Sequence, residues 1–114
     1  MSRDASYLLD ILLHAKDAAE FTADMSKEAF LSDHKCQFAV IRCFEVIGEA
    51  AKHLSKNTQM TNSDIPWAKM AKMRDLLIHA YQRVDLDEVW DTVKNDIPTL
   101  IASIERLIPP EDER

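Results

Sequence analysis

From Asp4 the apolar residues Tyr7, Leu8, Ile11, Leu12, Ala15, Ala18 and Ala19 recur at helical spacing, with Asp10, Lys16, Asp17 and Glu20 on the opposite side. This predicts an amphipathic first helix ending near Met25. Residues 26–31 read either as a turn of helix or as a loop, after which Ser32 or Asp33 can cap a long segment reaching about Ser55. The apolar positions of that segment, Phe38, Val40, Ile41, Phe44, Ile47, Ala50, Ala51 and Leu54, cover more than one narrow stripe. It should therefore be the central helix, touching its own bundle and something else, for which a second subunit is the natural candidate. Residues 56–63, rich in Asn, Thr and Ser, read as the main loop, exposed and mobile.

A helix restarts at Asp64-Ile65-Pro66-Trp67, where Asp can cap free amides and Pro is tolerated in the first turn, and it runs through Met70, Met73 and Leu77 to about Tyr81. Asp85-Leu86-Asp87-Glu88 has the form of a capping box, flanked by Val84 and Val89 as a hydrophobic staple. Trp90, Val93, Ile97, Leu100, Ile101, Ile104 and Leu107 carry the last helical stretch, which Pro98 either kinks or divides. Four or five helices with short connections predict an all-α fold, an antiparallel bundle. Residues 1–108 read as one domain and residues 109–114 as a short charged tail, frayed and without a function of its own.

Composition agrees with helices. One glycine (Gly48) and four prolines leave few of the tight turns an antiparallel sheet needs. Gly inside a helix costs about 1 kcal/mol relative to Ala, so Gly48 marks a close helix crossing, with the dimer interface a candidate place for it. Fourteen Lys and Arg against twenty Asp and Glu give a net charge of −6, which excludes a protein-wide field attracting nucleic acid and makes any RNA contact local. Cys36 and Cys43 lie about 10 Å apart along one helix, too far for a mutual disulfide, and read as reduced core thiols of a cytoplasmic protein. The first residues lack the marks of a signal peptide, and no apolar run reaches the roughly 20 residues that span a bilayer, so no membrane partner is expected.

The chemistry concentrates in Arg74-Asp75-Leu76-Leu77-Ile78-His79-Ala80-Tyr81. On an ideal helix Arg74 and Tyr81 share a face, whereas His79 is rotated by roughly 140° from Arg74. The two converge if the helix ends or loosens near His79, or if two copies of the site meet across a symmetric dimer. Asp75, four residues before His79, can hold the imidazole in one tautomer. Arg74 for a phosphate, His79 for proton transfer and Asp75 as orienter are the parts needed to cleave RNA without a metal, because the 2′-OH is the nucleophile. The product would be a 2′,3′-cyclic phosphate. No metal-ligand spacing occurs, and His14, His34 and His53 are scattered, so neither metal nor cofactor is expected. An Arg and a His five residues apart arise by chance in many helical proteins, however, so spacing alone does not make a site.

The surrounding residues add to it. Ile65-Pro66-Trp67 followed by Met70-Ala71-Lys72-Met73 and the Arg-x-x-x-x-His-x-Tyr pattern resembles the HepT-like branch of the HEPN superfamily. Ala39-Val40-Ile41-Arg42-Cys43-Phe44-Glu45-Val46-Ile47-Gly48-Glu49-Ala50-Ala51-Lys52 resembles that family's central helix, and Val84-Asp85-Leu86 through Trp90, Val93 and Asn95-Asp96-Ile97-Pro98 resembles its C-terminal part. The resemblance covers nearly the whole chain. It implies a HEPN-like bundle forming a homodimer, with Arg74 and His79 of both subunits facing a shared RNA-cleaving cleft. It further implies a toxin neutralised by a cognate MNT-type nucleotidyltransferase that transfers AMP to Tyr81. Arg42 and Glu49, seven apart on one helix face, can line the cleft, pair across the dimer or form an ordinary salt bridge. The alternative function is a non-catalytic helical adaptor that partners such a nucleotidyltransferase and helps it hold a nucleotide, because a fold by itself does not decide function.

Overall fold

The computed structural model describes residues 3–79, 84–110 and 112, with side chains left out at residues 73 and 75–79. Helix α1 (Arg3–Phe21) buries Leu8, Ile11, Leu12, Ala15 and Ala18, the stripe its periodicity predicts. It stops at Phe21, short of Met25. The Thr22 hydroxyl donates to the Ala18 carbonyl at 3.0 Å, and the next amides take tighter three-residue bonds, Ala23 to Glu20 and Met25 to Thr22. A side chain competing for the helix's own acceptors ends it early.

Helix α2 (Lys27–Leu31) decides between the two readings of that segment in favour of helix: Ser26 accepts from the Ala29 amide at 3.1 Å, and the buried Phe30 packs on Trp90 with ring centroids 5.3 Å apart. Helix α3 (His34–His53) is capped by Asp33, which accepts from the Cys36 amide at 3.0 Å. It is central, packing on α1 along one side and on α5 (Trp67–His79) along another, so its broad apolar surface is consumed largely within the chain. Val40, Phe44, Ile47, Ala50, Ala51 and Leu54 are buried, whereas Phe38 stays 71% exposed. Helix α7 (Ile97–Glu105) closes against α1. No strand occurs among the described residues.

The expected main loop is a correction: residues 56–61 form a short helix, α4 (Lys56–Thr61). Ser55 caps it by accepting from the Thr58 amide at 3.2 Å. Asp4 of α1 secures that cap, accepting from the Ser55 amide at 3.0 Å and from the hydroxyls of Ser55 and Thr58. Small polar residues serve caps and loops alike, which is why the stretch reads as loop. Helix α5 begins at Trp67, two residues later than a cap at Asp64 would start it. The Pro66 carbonyl accepts from Met70 at 3.1 Å, so Pro66 stands before the first turn, and Asp64 pairs with Arg106 at 3.5 Å. The Trp67 indole N–H donates to the Asn62 carbonyl at 3.0 Å.

Helix α6 (Leu86–Asp91) starts at the expected cap, Asp85 accepting from the Glu88 amide at 3.1 Å. A π-helical turn (Thr92–Asp96) joins it to α7. Pro98 divides the stretch through its missing N–H and the bulk of its ring against the carbonyl four residues back. The wider turn accommodates this, with the Ile97 amide reaching back five residues to Thr92. Lys94 leaves the turn to donate to the Thr22 carbonyl at 2.8 Å while lying 4.6 Å above the Trp90 ring centre, tying the C-terminal helices to the end of α1.

Candidate functional site

Arg74 lies on α5 where that helix crosses α3, and the lone glycine of the chain makes the crossing possible. A Cβ at Gly48 would overlap the Arg74 Cβ outright and lie 2.9 Å from its amide nitrogen and 3.0 Å from its Cα. These distances are well inside the roughly 3.5–4.0 Å optimum of carbon contacts. The close crossing expected at Gly48 is thus found inside the chain, against the backbone of the motif arginine.

The neighbouring Glu49 meets the same arginine. Arg74 Nε donates to Glu49 Oε2 at 2.7 Å, the length of a charge-assisted bond, with the arginine side chain 26% exposed. The other carboxylate oxygen of Glu49 is 3.5 Å from His53 Nδ1, which also lies 2.8 Å from the Glu49 carbonyl. Tyr7 of α1 stacks on the His53 ring with centroids 5.4 Å apart. Arg42 projects further out, 3.4 Å from Glu45 one turn along α3. Together Tyr7, Asp10, Arg42, Glu45, Glu49 and Arg74 line a cleft of about 390 Å³ with two cations and three carboxylates. Arg42 and Glu49 both line this cleft and each forms a salt bridge within the chain, with Glu45 and Arg74 respectively rather than with one another.

Asp75 and His79 follow on α5, but their side chains lie outside what is described, and Tyr81 lies outside the described residues altogether. The structure therefore brings Arg74 together with Glu49 and Arg42. Glu49 could be suspected from its place beside the only glycine. Tyr7 and His53 could not be found from sequence, since Tyr7 reads as one more apolar position of α1. Among the described residues no three His, Cys, Asp or Glu side chains are grouped so that they could hold a metal ion.

Two other features compete less well. A larger hollow of about 830 Å³ lies between the start of α5 and the C-terminal helices, lined among the described residues by Phe44, Ile65, Met70, Val89, Ile97 and Leu100 with a charged rim, and Arg74 is not one of its described lining residues. The cysteines are poor nucleophiles: burial pushes the Cys43 thiol up to about 11 and raises that of Cys36. Both are free, but Cys36 is only half-buried, beside Met25 and the end of α1, rather than a core thiol.

The family model described as ribonuclease HepT-like matches residues 11–107, a span that holds the whole motif and the α3 and α5 residues of the cleft. The chain belongs to the ribonuclease HepT-like family. That membership places it among ribonucleases and agrees with the all-α fold. It is similar to the protein named "Probable ribonuclease HepT" of Thermococcus cleftensis, at 48% identity over 89% of this chain and 92% of the relative. It is also similar to "Putative RNase MJ0127" of Methanocaldococcus jannaschii, at 45% identity over 90% of this chain and 85% of the relative. No solved structure matches it. Among the described residues no helix is long and apolar enough to cross a membrane.

Proposed function

We propose that the protein is a metal-independent endoribonuclease, the toxin of a toxin–antitoxin pair, in which Arg74 and His79 act on the phosphodiester and Asp75 orients the histidine. The observation that carries this is the motif arginine at the α3–α5 crossing of a HepT-like ribonuclease chain, lining a cleft and held by a charge-assisted bond. His79 takes the proton of a 2′-OH as that oxygen attacks phosphorus. Arg74 offsets the charge that builds on the phosphorane oxygens, and the P–O5′ bond breaks, the 5′-oxygen taking a proton from water. The products are a 2′,3′-cyclic phosphate and a 5′-OH. The acting form is a homodimer in which two sites share one cleft. A cognate MNT-type nucleotidyltransferase silences it by transferring AMP to Tyr81, which places bulk and a phosphate where Arg74 would meet RNA.

The test is cleavage of total tRNA in EDTA by wild type, Arg74→Ala and His79→Ala, after intact mass shows unmodified Tyr81. Cleavage by the wild type alone, with cyclic-phosphate ends, establishes the reaction. Intact RNA with all three proteins returns the assignment to a non-catalytic adaptor of the nucleotidyltransferase, a reading that the net charge of −6 favours.

A further inference from the structure

An arginine side chain has four rotatable bonds, and its guanidinium serves a transition state only if it is already aimed. Two consecutive residues of α3 address this at Arg74. Gly48 removes the Cβ that would collide with Arg74 N at 2.9 Å and Cα at 3.0 Å, which sets how deeply the base of the side chain sits against α3. Glu49 then takes the Arg74 Nε–H at 2.7 Å, at the nitrogen nearest the stem, which fixes the plane of the guanidinium. Beside the carboxylate, 3.5 Å from its second oxygen, lies Nδ1 of His53, which is 2.8 Å from the Glu49 carbonyl and whose ring stacks on Tyr7. Glu49 is half-exposed, so the pair is no core requirement of the fold, and an exposed pair of this kind adds little to stability.

We propose that Glu49 is a positioning residue for Arg74, aiming its guanidinium at the scissile phosphate, with Gly48 setting the depth of the arginine; the proposal rests on the ribonuclease reading above. The opposite role is physically distinct: a carboxylate that merely masks the arginine would compete with the phosphate, and its removal would improve RNA binding.

Steady-state cleavage of a defined RNA by wild type, Glu49→Gln, Glu49→Asp and Glu49→Ala separates them, with His79→Ala as the inactive reference and thermal melts on every protein. Positioning predicts that Ala, and Asp with its arm one methylene shorter, lower kcat by about 10- to 100-fold with KM little changed. Gln, whose amide oxygen still accepts the Nε–H, is expected to retain most of kcat, and all three to melt close to the wild type. Unchanged kcat in the Ala variant, whatever its melting temperature, overturns the proposal, as do tighter RNA binding and faster cleavage in both Gln and Ala. A wild type that does not cleave overturns the ribonuclease reading and the proposal with it, an outcome distinct from cleavage that is indifferent to residue 49.

Discussion

Gly48→Ala adds one methyl group at the point where α3 meets the motif arginine. The new Cβ would lie 3.0 Å from the Arg74 Cα and closer still to its Cβ, against an optimum of about 3.5–4.0 Å, so the helices must part by at least about 1 Å. Backbone and Cβ atoms cannot swing aside as a flexible side-chain end would, so the cost lies at the upper end of the roughly 1–3 kcal/mol typical of overpacking. Ala gains about 1 kcal/mol over Gly in a helix interior. The remainder is a loss of about 1–2 kcal/mol, or roughly 4–8 °C in melting temperature for a chain of this size. The same shift carries Arg74 about 1 Å from its place, which for the proposed reaction costs on the order of 100-fold in cleavage. Calorimetric melts and RNA cleavage on the same preparation read both numbers. A variant that melts at or above the wild-type temperature and cleaves as well would show that no tight crossing exists at Gly48.

Hydrogen bonds from Ser55 and then Thr58 hold the Asp4 carboxyl below its ordinary value. Its contribution is therefore full above the unfolded pKa of about 3.9 and is lost as pH falls through the lower folded value. Asp4→Ala should cost up to about 1 kcal/mol at pH 7, with the gap in urea midpoint narrowing toward pH 3; a gap independent of pH would refute the assignment. With both thiols raised and Cys43 near 11, alkylation of the folded protein at pH 8 should be slow at Cys36 and Cys43, and two equivalents should react once it is unfolded. Lys94→Met removes both the bond to the Thr22 carbonyl and the cation over Trp90, and should lower stability by about 1–2 kcal/mol; an unchanged melting temperature would place the tie elsewhere.

What the sequence reveals follows from the range of the interaction. Asp33 and Asp85 cap amides three residues away, so those helix starts are legible without any tertiary knowledge. The identity of α3 as central helix is legible too, because a wide apolar surface needs more than one partner. The end of α1 and the helicity of residues 56–61 are not, since Thr22 and Ser55 have side chains that serve a cap, a terminus or a loop with the same hydroxyl. Pro98 announces a missing hydrogen bond, but not that the backbone answers it with a π-helical turn. At the site, Gly48 signals a close approach without saying to what. Its partner is Arg74 of the same chain, and that contact, like the Arg74–Glu49 pair, depends on how α3 and α5 cross.

The crossing also bears on how so acidic a chain would handle RNA. Arg42 and Arg74 each stand beside a carboxylate, Glu45 and Glu49, and Asp10 adds a further negative charge to the same cleft. Seen from more than a Debye length of about 8 Å, the described residues of this cleft offer RNA no net attraction, and the chain's charge of −6 offers none either. Recognition for the proposed reaction then has to come from contact: a phosphate must arrive in a geometry that engages an arginine whose plane is already fixed. A fixed guanidinium loses little entropy on binding and discriminates by fit, whereas a loosely held cationic surface would bind any polyanion. On the proposed reading, an arginine aimed by its own carboxylate is the arrangement that would let a weakly attracting cleft act on selected RNA.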